Sequence, residues 1–252
     1  MNSLYPPYFA RFYDLIYDKI RSGVDTEYFM KKILEAKGPV LEVGTGTGRF
    51  FLEARNKGAD IYGIDVSPAM LDILASRMDP KDLYRISEQD IRNFSLDIPF
   101  RLIIAPFRVF MHLISTEDQI ITLNHIHQNL SPGGCFIFDL YIPDPRRLDT
   151  GVDNVMDFEG EYEPGRMLRR FTSSSNDLIN QVNHVTMRFE WEEDNKVQSE
   201  TWRSEMRFFF RYELEYLLQQ SNFSSYKIYG DFNESPLSKE SKEFVVVCRK
   251  GL

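Results

Sequence analysis

Short apolar runs rich in β-branched residues alternate with stretches of helical period from Lys31 to Tyr141. That order builds a parallel sheet with helices on its faces. It predicts strands at 39–43, 60–64, 83–87, 101–105 and 135–141, with helices at 48–57, 68–77 and 116–130. Ser67 before Pro68 is a strong helix start, a hydroxyl cap followed by proline in the first turn. Ser115 or Thr116 can cap the helix that carries Ile120, Leu123 and Ile126. Ser131-Pro132-Gly133-Gly134 then breaks that helix and feeds the fifth strand.

After Tyr141 the helical period gives way to alternation of period two. Val182, His184, Thr186, Arg188 and Glu190 fall on one face of a strand, and Val185, Met187, Phe189 and Trp191 on the other. Asp194-Asn195 supplies a turn, 197–210 returns as a second strand, and 166–173 adds a third. The α/β rhythm resumes with a helix from 212 to about 220 and strands at 225–229 and 244–248. The division that follows is an α/β core over 1–142 and 211–252, interrupted after its fifth strand by an antiparallel insertion over 143–210. In open α/β folds ligands bind at the carboxyl ends of the strands, so the insertion is placed to form a lid, an acceptor pocket or a dimerisation flap.

The chemistry concentrates at the first strand. Val40-Leu41-Glu42-Val43 runs into Gly44-Thr45-Gly46-Thr47-Gly48 and then a helix. Glycines there allow a sharp turn and close approach of backbone to a ligand, with helix N–H groups behind. Seventeen residues after Gly48 the second strand ends in Asp65, the place where a carboxylate accepts from ribose hydroxyls. A dinucleotide fingerprint, G-x-G-x-x-G, would need its third glycine at position 49, which is Arg49.

The spacing E-x-G-x-G-x-G resembles instead the first motif of the class I S-adenosylmethionine (SAM) methyltransferases, and Leu130-Ser131-Pro132-Gly133-Gly134 resembles another of their habitual turns. Further segments are similar to the small-molecule group of that family, the dTDP-aminosugar N-methyltransferases. They are Ala10-Arg11-Phe12-Tyr13-Asp14, Gly63 to Leu71, Gln89 to Phe94, Phe110-Met111-His112-Leu113 and Tyr229-Gly230-Asp231-Phe232. The resemblance implies a Rossmann-like fold with a mostly parallel seven-stranded sheet and methyl transfer from SAM to N or O of a small acceptor. A protein or RNA methyltransferase, or a SAM-binding regulatory protein without transfer, are the alternatives.

The same resemblance assigns residues. Glu42, Gly44, Thr45, Gly46 and Gly48 would surround the methionine end of SAM. Asp65 would hold the ribose, Val66 and Met70 the adenine face, and Gln89, Asp90 and Ile91 the adenine edge; Asp90 also suits a turn cap. Ala105 and Phe107 would stand beside the methyl donor, and Tyr13 would lie across the cofactor or simply in the core. His112 is the candidate general base or acceptor-orienting group, or else a histidine satisfied by backbone. Arg108 would either bind an acidic acceptor or be a solvated charge or a salt bridge to the lid. Met111 stands where the family usually has glycine and Arg108 where it has a small residue, which puts the aminosugar acceptor in question.

Composition narrows the partners. A net charge of −8 and a pI near 5.2 argue against a broad nucleic-acid surface, and residues 143–211 hold 10 basic against 14 acidic side chains. Cys135 and Cys248 each sit in an apolar strand and read as reduced core residues. His125 and His127, two apart on a helix, face different ways, and no spacing suggests a metal. The amino-terminal segment lacks a basic start and a continuous apolar stretch, so the expectation is a cytoplasmic protein without a membrane segment. A homodimer through the insertion is the oligomeric expectation.

Overall fold

The structure, a computed structural model, describes residues 4–20, 23–193 and 196–252. Two helices open the chain, α1 (Pro7–Ile20) and α2 (Val24–Glu35). The core continues as β1 (Val40–Val43), α3 (Arg49–Asn56), β2 (Ile61–Asp65), α4 (Pro68–Ser76), β3 (Ile86–Glu88), β4 (Phe100–Ala105), α5 (Thr116–Asn129) and β5 (Leu130–Tyr141). A single turn, α6 (Pro145–Leu148), leads into β6 (Val152–Glu163), β7 (Arg166–Asp177), β8 (Val182–Glu193) and β9 (Lys196–Arg207). The chain returns to the core through α7 (Arg211–Gln219), β10 (Ser225–Tyr229) and β11 (Glu243–Arg249).

The core sheet has seven strands in the order β10-β11-β5-β4-β1-β2-β3, and only β11 runs against its neighbours. This is a Rossmann-like sheet, mostly parallel and seven-stranded as the resemblance implies. Strands β1 and β4 are buried along nearly their whole length, as expected where helices cover both faces. The caps behave as their residues dictate: Ser67 accepts from the Met70 N–H and Ser115 from the Asp118 N–H. Gly48 precedes α3 at φ +93°, and a Cβ there would lie 2.4 Å from Leu74 Cδ1.

The insertion is a four-stranded antiparallel sheet, β6-β7-β8-β9, emerging after β5. Three of its strands follow the alternation in the sequence; β6 does not. Its pairing with β7 is interrupted by irregularities and nearly all of its residues face solvent, so no clean period of two marks it. The 194–195 turn lies outside the described residues. One core strand also moved: Leu83–Arg85, expected to be extended, belong to a 3₁₀ turn that Asp79 caps and Pro80 begins, leaving Ile86–Glu88 as a short edge strand. The Ser131–Gly134 break lies within β5, as an excursion between the Phe100–Leu130 and Leu102–Cys135 pairs.

Helix α1 joins the two sheets. Phe9, Phe12 and Ile16 are fully buried against Phe158, Leu168, Phe189, Trp191 and Trp202 of the insertion and Met70 of α4. Each such side chain contributes on the order of 1.5–3 kcal/mol, which fixes the insertion over the carboxyl ends of the core strands. Both cysteines are free. Among the described residues no helix is long and apolar enough to cross a membrane.

Candidate active site

A cavity of about 540 Å³ opens between the carboxyl ends of β1, β2 and β4, helix α1 and the insertion. Gly44 and Gly46 line it at the end of β1, both with positive φ. Their surroundings differ. A Cβ at Gly44 would lie 2.4 Å from Val109 Cγ2, whereas one at Gly46 would meet nothing closer than a backbone oxygen at 3.9 Å. The space over Gly46 is therefore open to a ligand, and the absence of a side chain keeps it so.

Behind the loop, Thr45 donates to Glu42 Oε2 over 3.2 Å. Both residues are buried and neither lines the cavity; Gly48 and Ala105 do not line it either. Burial pushes the Glu42 carboxyl up to about 8, against the pull of Thr45 and Arg49. Asp14 of α1 clamps the loop from outside, accepting from Thr47 Oγ1 at 2.5 Å and from Arg77 at 2.6 Å.

Asp65 closes β2 with its carboxylate turned into the cavity wall. Its Oδ2 accepts from the Gly46 N–H and its Oδ1 from the Ser67 N–H, each at 2.8 Å. Burial pushes its carboxyl up, and these N–H groups oppose that shift. Val66, Met70 and Ile91 add apolar lining, and Val66 is 41% exposed beside the cavity. Gln89 spans a turn, donating to Ser87 and accepting from the Ser95 N–H. Burial works against ionisation of Asp90, but its bonds from Arg92 outweigh that and hold the carboxyl below the usual range.

Beyond β4 the backbone takes two consecutive left-handed residues, Phe107 at φ +57° and Arg108 at φ +68°. Neither is glycine, so the corner is strained. Asp139 of β5 holds it, accepting from the Phe107 N–H at 2.7 Å. Burial, then the neighbouring Glu243, pushes the Asp139 carboxyl up to about 7. Phe107 lines the cavity. Arg108 does not: its guanidinium pairs with Glu243 at 3.0 Å and lies over Tyr141. The partner, Glu243, belongs to β11 of the core sheet and not to the insertion.

His112 and Tyr13 both reach the cavity, alongside residues the sequence did not single out: Tyr5, Trp202 and Ser204. Tyr5 stacks on Trp202 with centroids 4.9 Å apart and meets His112 edge-on at 6.5 Å. Burial pulls the His112 imidazole below its usual pKa, opposed by a hydrogen bond to the Glu205 backbone. An imidazole that donates from one nitrogen to a carbonyl carries a lone pair on the other. Among the described residues no group of three or more His, Cys, Asp and Glu is arranged to hold a metal.

A family model described as a methyltransferase domain matches residues 40–134, the span from β1 into β5 that contains the glycine loop, Asp65 and Asp90. Residues 40–134 carry a methyltransferase domain. This methyltransferase is 23% identical over 240 residues to the YqeM protein of Bacillus subtilis (strain 168), covering 94% of this chain and 95% of that one. It is 25% identical over 194 residues to the dTDP-4-amino-2,3,4,6-tetradeoxy-D-glucose N,N-dimethyltransferase of Saccharopolyspora spinosa, covering 75% and 74% of the two. Among solved structures, an S-adenosylmethionine-dependent methyltransferase from Clostridium acetobutylicum ATCC 824 superposes with a TM-score of 0.76 at 18% identity, over 97% of this chain and 98% of that one. The residues that surround the cavity fit SAM: an open glycine cradle, a buried carboxylate, Asp65, at the end of β2 and an apolar wall at Val66, Met70 and Ile91.

Proposed function

We propose that this methyltransferase transfers the methyl group of SAM to a nitrogen or oxygen of a small organic acceptor, with the insertion forming the acceptor wall. The observation that carries the reading is that one cavity touches both the glycine loop with Asp65 and the Tyr5, Trp202, Ser204 and His112 cluster. Gly44 and Gly46 would admit the methionine end, backed by Glu42, Thr45 and Gly48. Asp65 would accept from the ribose hydroxyls. Val66, Met70 and Ile91 would sandwich the adenine, with Gln89 and Asp90 at its edge, and Ala105 and Phe107 would bound the methyl group.

SAM supplies a methyl group already activated on a sulfonium, so the protein's task is positioning, exclusion of water and management of one proton. Oriented reactants gain effective molarities of about 10⁵–10⁸ M. Tyr5, Tyr13 and Trp202 make the acceptor wall aromatic, and aromatic rings favour cationic groups. His112, kept neutral by burial, has the lone pair to take a proton from a hydroxyl or an ammonium group. The small-molecule acceptor named for the Saccharopolyspora relative supports an acceptor of that size, as does a cavity of about 540 Å³.

Calorimetric titration of SAM and S-adenosylhomocysteine, followed by a screen of small amines, amino sugars and hydroxy compounds, tests the reading. Micromolar binding and turnover on a small acceptor are expected. Turnover confined to protein or RNA substrates would refute the acceptor class, and a folded protein that binds neither SAM nor its product would refute the site.

A further inference from the structure

A second cavity, also about 540 Å³, lies at the other end of the core sheet. Lys37, just before β1, and Arg101, at the entry to β4, both line it, whereas the glycine loop follows the exit of β1. The pairing register builds its floor. Leu102 pairs with Cys135, Cys135 with Arg249, Ile137 with Val247 and Val247 with Lys227. Directly paired side chains share a face, so Arg249 and Lys227 stand over an apolar floor of Leu102, Ile137 and Val247. The end of α2 forms the opposite wall, through Lys32 and Ala36.

Five cations therefore surround one hollow on a chain of net charge −8. Of the acids there, Glu234 is taken by Lys32 at 2.7 Å and by the Tyr28 hydroxyl, and Glu35 lies 4.0 Å from Lys31. Among the described residues, Lys37, Arg101, Lys227 and Arg249 form no ion pair with a carboxylate. Burial pushes the Cys135 thiol up to about 11 against the opposing pull of Arg249, Lys32 and Arg101, so three cations are felt at a single thiol on the floor. Like charges gathered in a concave site repel one another and focus a positive potential that an anion relieves.

We infer that this hollow is a second ligand site, separate from the methyl-transfer cavity, for a small phosphate monoester. Its phosphate meets the Arg101 and Arg249 guanidinium groups, which suit bidentate contact with phosphate oxygens, with Lys37 and Lys227 adding charge. Its apolar body lies on Leu102, Ile137 and Val247. The flanking Glu35 and Glu234 and the overall acidity disfavour a polyanion such as nucleic acid.

Phenyl phosphate is the probe, followed by ligand-observed NMR on the full chain, with benzyl alcohol as the uncharged control. Arg101 also donates to the Pro132 carbonyl, so two double variants are used: Arg101→Ala with Arg249→Ala, and Lys227→Ala with Arg249→Ala. Each should weaken phenyl phosphate binding by about tenfold or more, leave S-adenosylhomocysteine affinity unchanged, and bind the probe equally with that nucleoside present or absent. Absence of wild-type binding at about 10 mM probe, equal binding by the variants, displacement by S-adenosylhomocysteine, or equally strong binding of benzyl alcohol would each overturn the inference.

Discussion

Asp65 has two jobs that substitution can separate. Its carboxylate oxygens each accept one backbone N–H at 2.8 Å, tying Gly46 to Ser67. Each oxygen has a second lone pair, which leaves capacity for two ribose hydroxyls. Asp65→Ala removes the acceptor from both N–H groups, a loss of about 2–4 kcal/mol of stability. For a chain of this size that lowers Tm by roughly 5–15 °C. It also removes the ribose contacts, worth about 1–3 kcal/mol, or about 5–150-fold in affinity. Asp65→Asn keeps the volume and one acceptor oxygen, so it should be the more stable variant yet still bind weakly. Thermal melts paired with calorimetric titration of S-adenosylhomocysteine read the two effects independently. A folded Asn or Ala variant whose affinity stays within about twofold of wild type would refute the ribose role and leave Asp65 as a loop tie alone.

Gly46→Val places a side chain in the open space over the loop and adds about 1–2 kcal/mol of left-handed strain; it should abolish S-adenosylhomocysteine binding in a folded protein, and retained binding counts against the loop assignment. His112→Ala should cut turnover by about 10²–10⁴ without changing cofactor affinity, and a fully active variant returns His112 to a structural role. Because burial lowers the His112 pKa from 6.5, the wild-type rate should be flat above neutrality and fall on the acid side below 6.5; an acid limb that persists in His112→Ala assigns the titration to another group. For Asp139 the folded pKa of about 7 lies above its ordinary 3.8, so the stability it contributes is complete below 3.8 and is lost as pH rises towards 7. Asp139→Asn still offers an oxygen to the Phe107 N–H, so its stability relative to wild type should climb across that window in denaturant titrations; a constant difference refutes the shift.

The half of the site between Glu42 and Arg92 was legible because it is local: each residue sits at a fixed offset from a strand end, and strand ends are marked by apolar runs stopping at Gly or Asp. The other half is assembled across the chain. Trp202 and Ser204 were recognisable as one face of a strand, but nothing in their spacing says that this face meets Tyr5 and His112. Asp139 carried a signal, an acid inside an otherwise apolar strand, and its meaning depends on the left-handed corner at Phe107 and Arg108, which has no glycine to announce it. Asp14 likewise stood in a recognised segment, while its grip on Thr47 and Arg77 is purely tertiary. Arg108 shows the converse: a plausible acceptor-binding charge is claimed by Glu243, a residue 135 positions away. The fold was clearer than the site, since apolar runs and the 3.6 period mark most core elements; the pattern fails in β6, where exposure on both faces removes the contrast, and at Leu83–Arg85, which form a 3₁₀ turn.

The burial of α1 against the insertion has a consequence for the nascent chain. Phe9 and Phe12 find their cover only when Phe189, Trp191 and Trp202 have been made, and Phe189 follows Phe9 by 180 positions. At about 5–20 residues per second, those rings stay uncovered for roughly 10–40 s on the ribosome. The core sheet waits longer still. Strand β11 slots between β10 and β5, so the backbone groups of one β5 edge stay unpaired until residues 243–249 emerge. The chain thus exposes first an aromatic helix and later an unpaired strand edge, and the second is the kind of edge that pairs with other chains. Holdase chaperones would find their binding site on the α1 face of Phe9 and Phe12 that the insertion later covers.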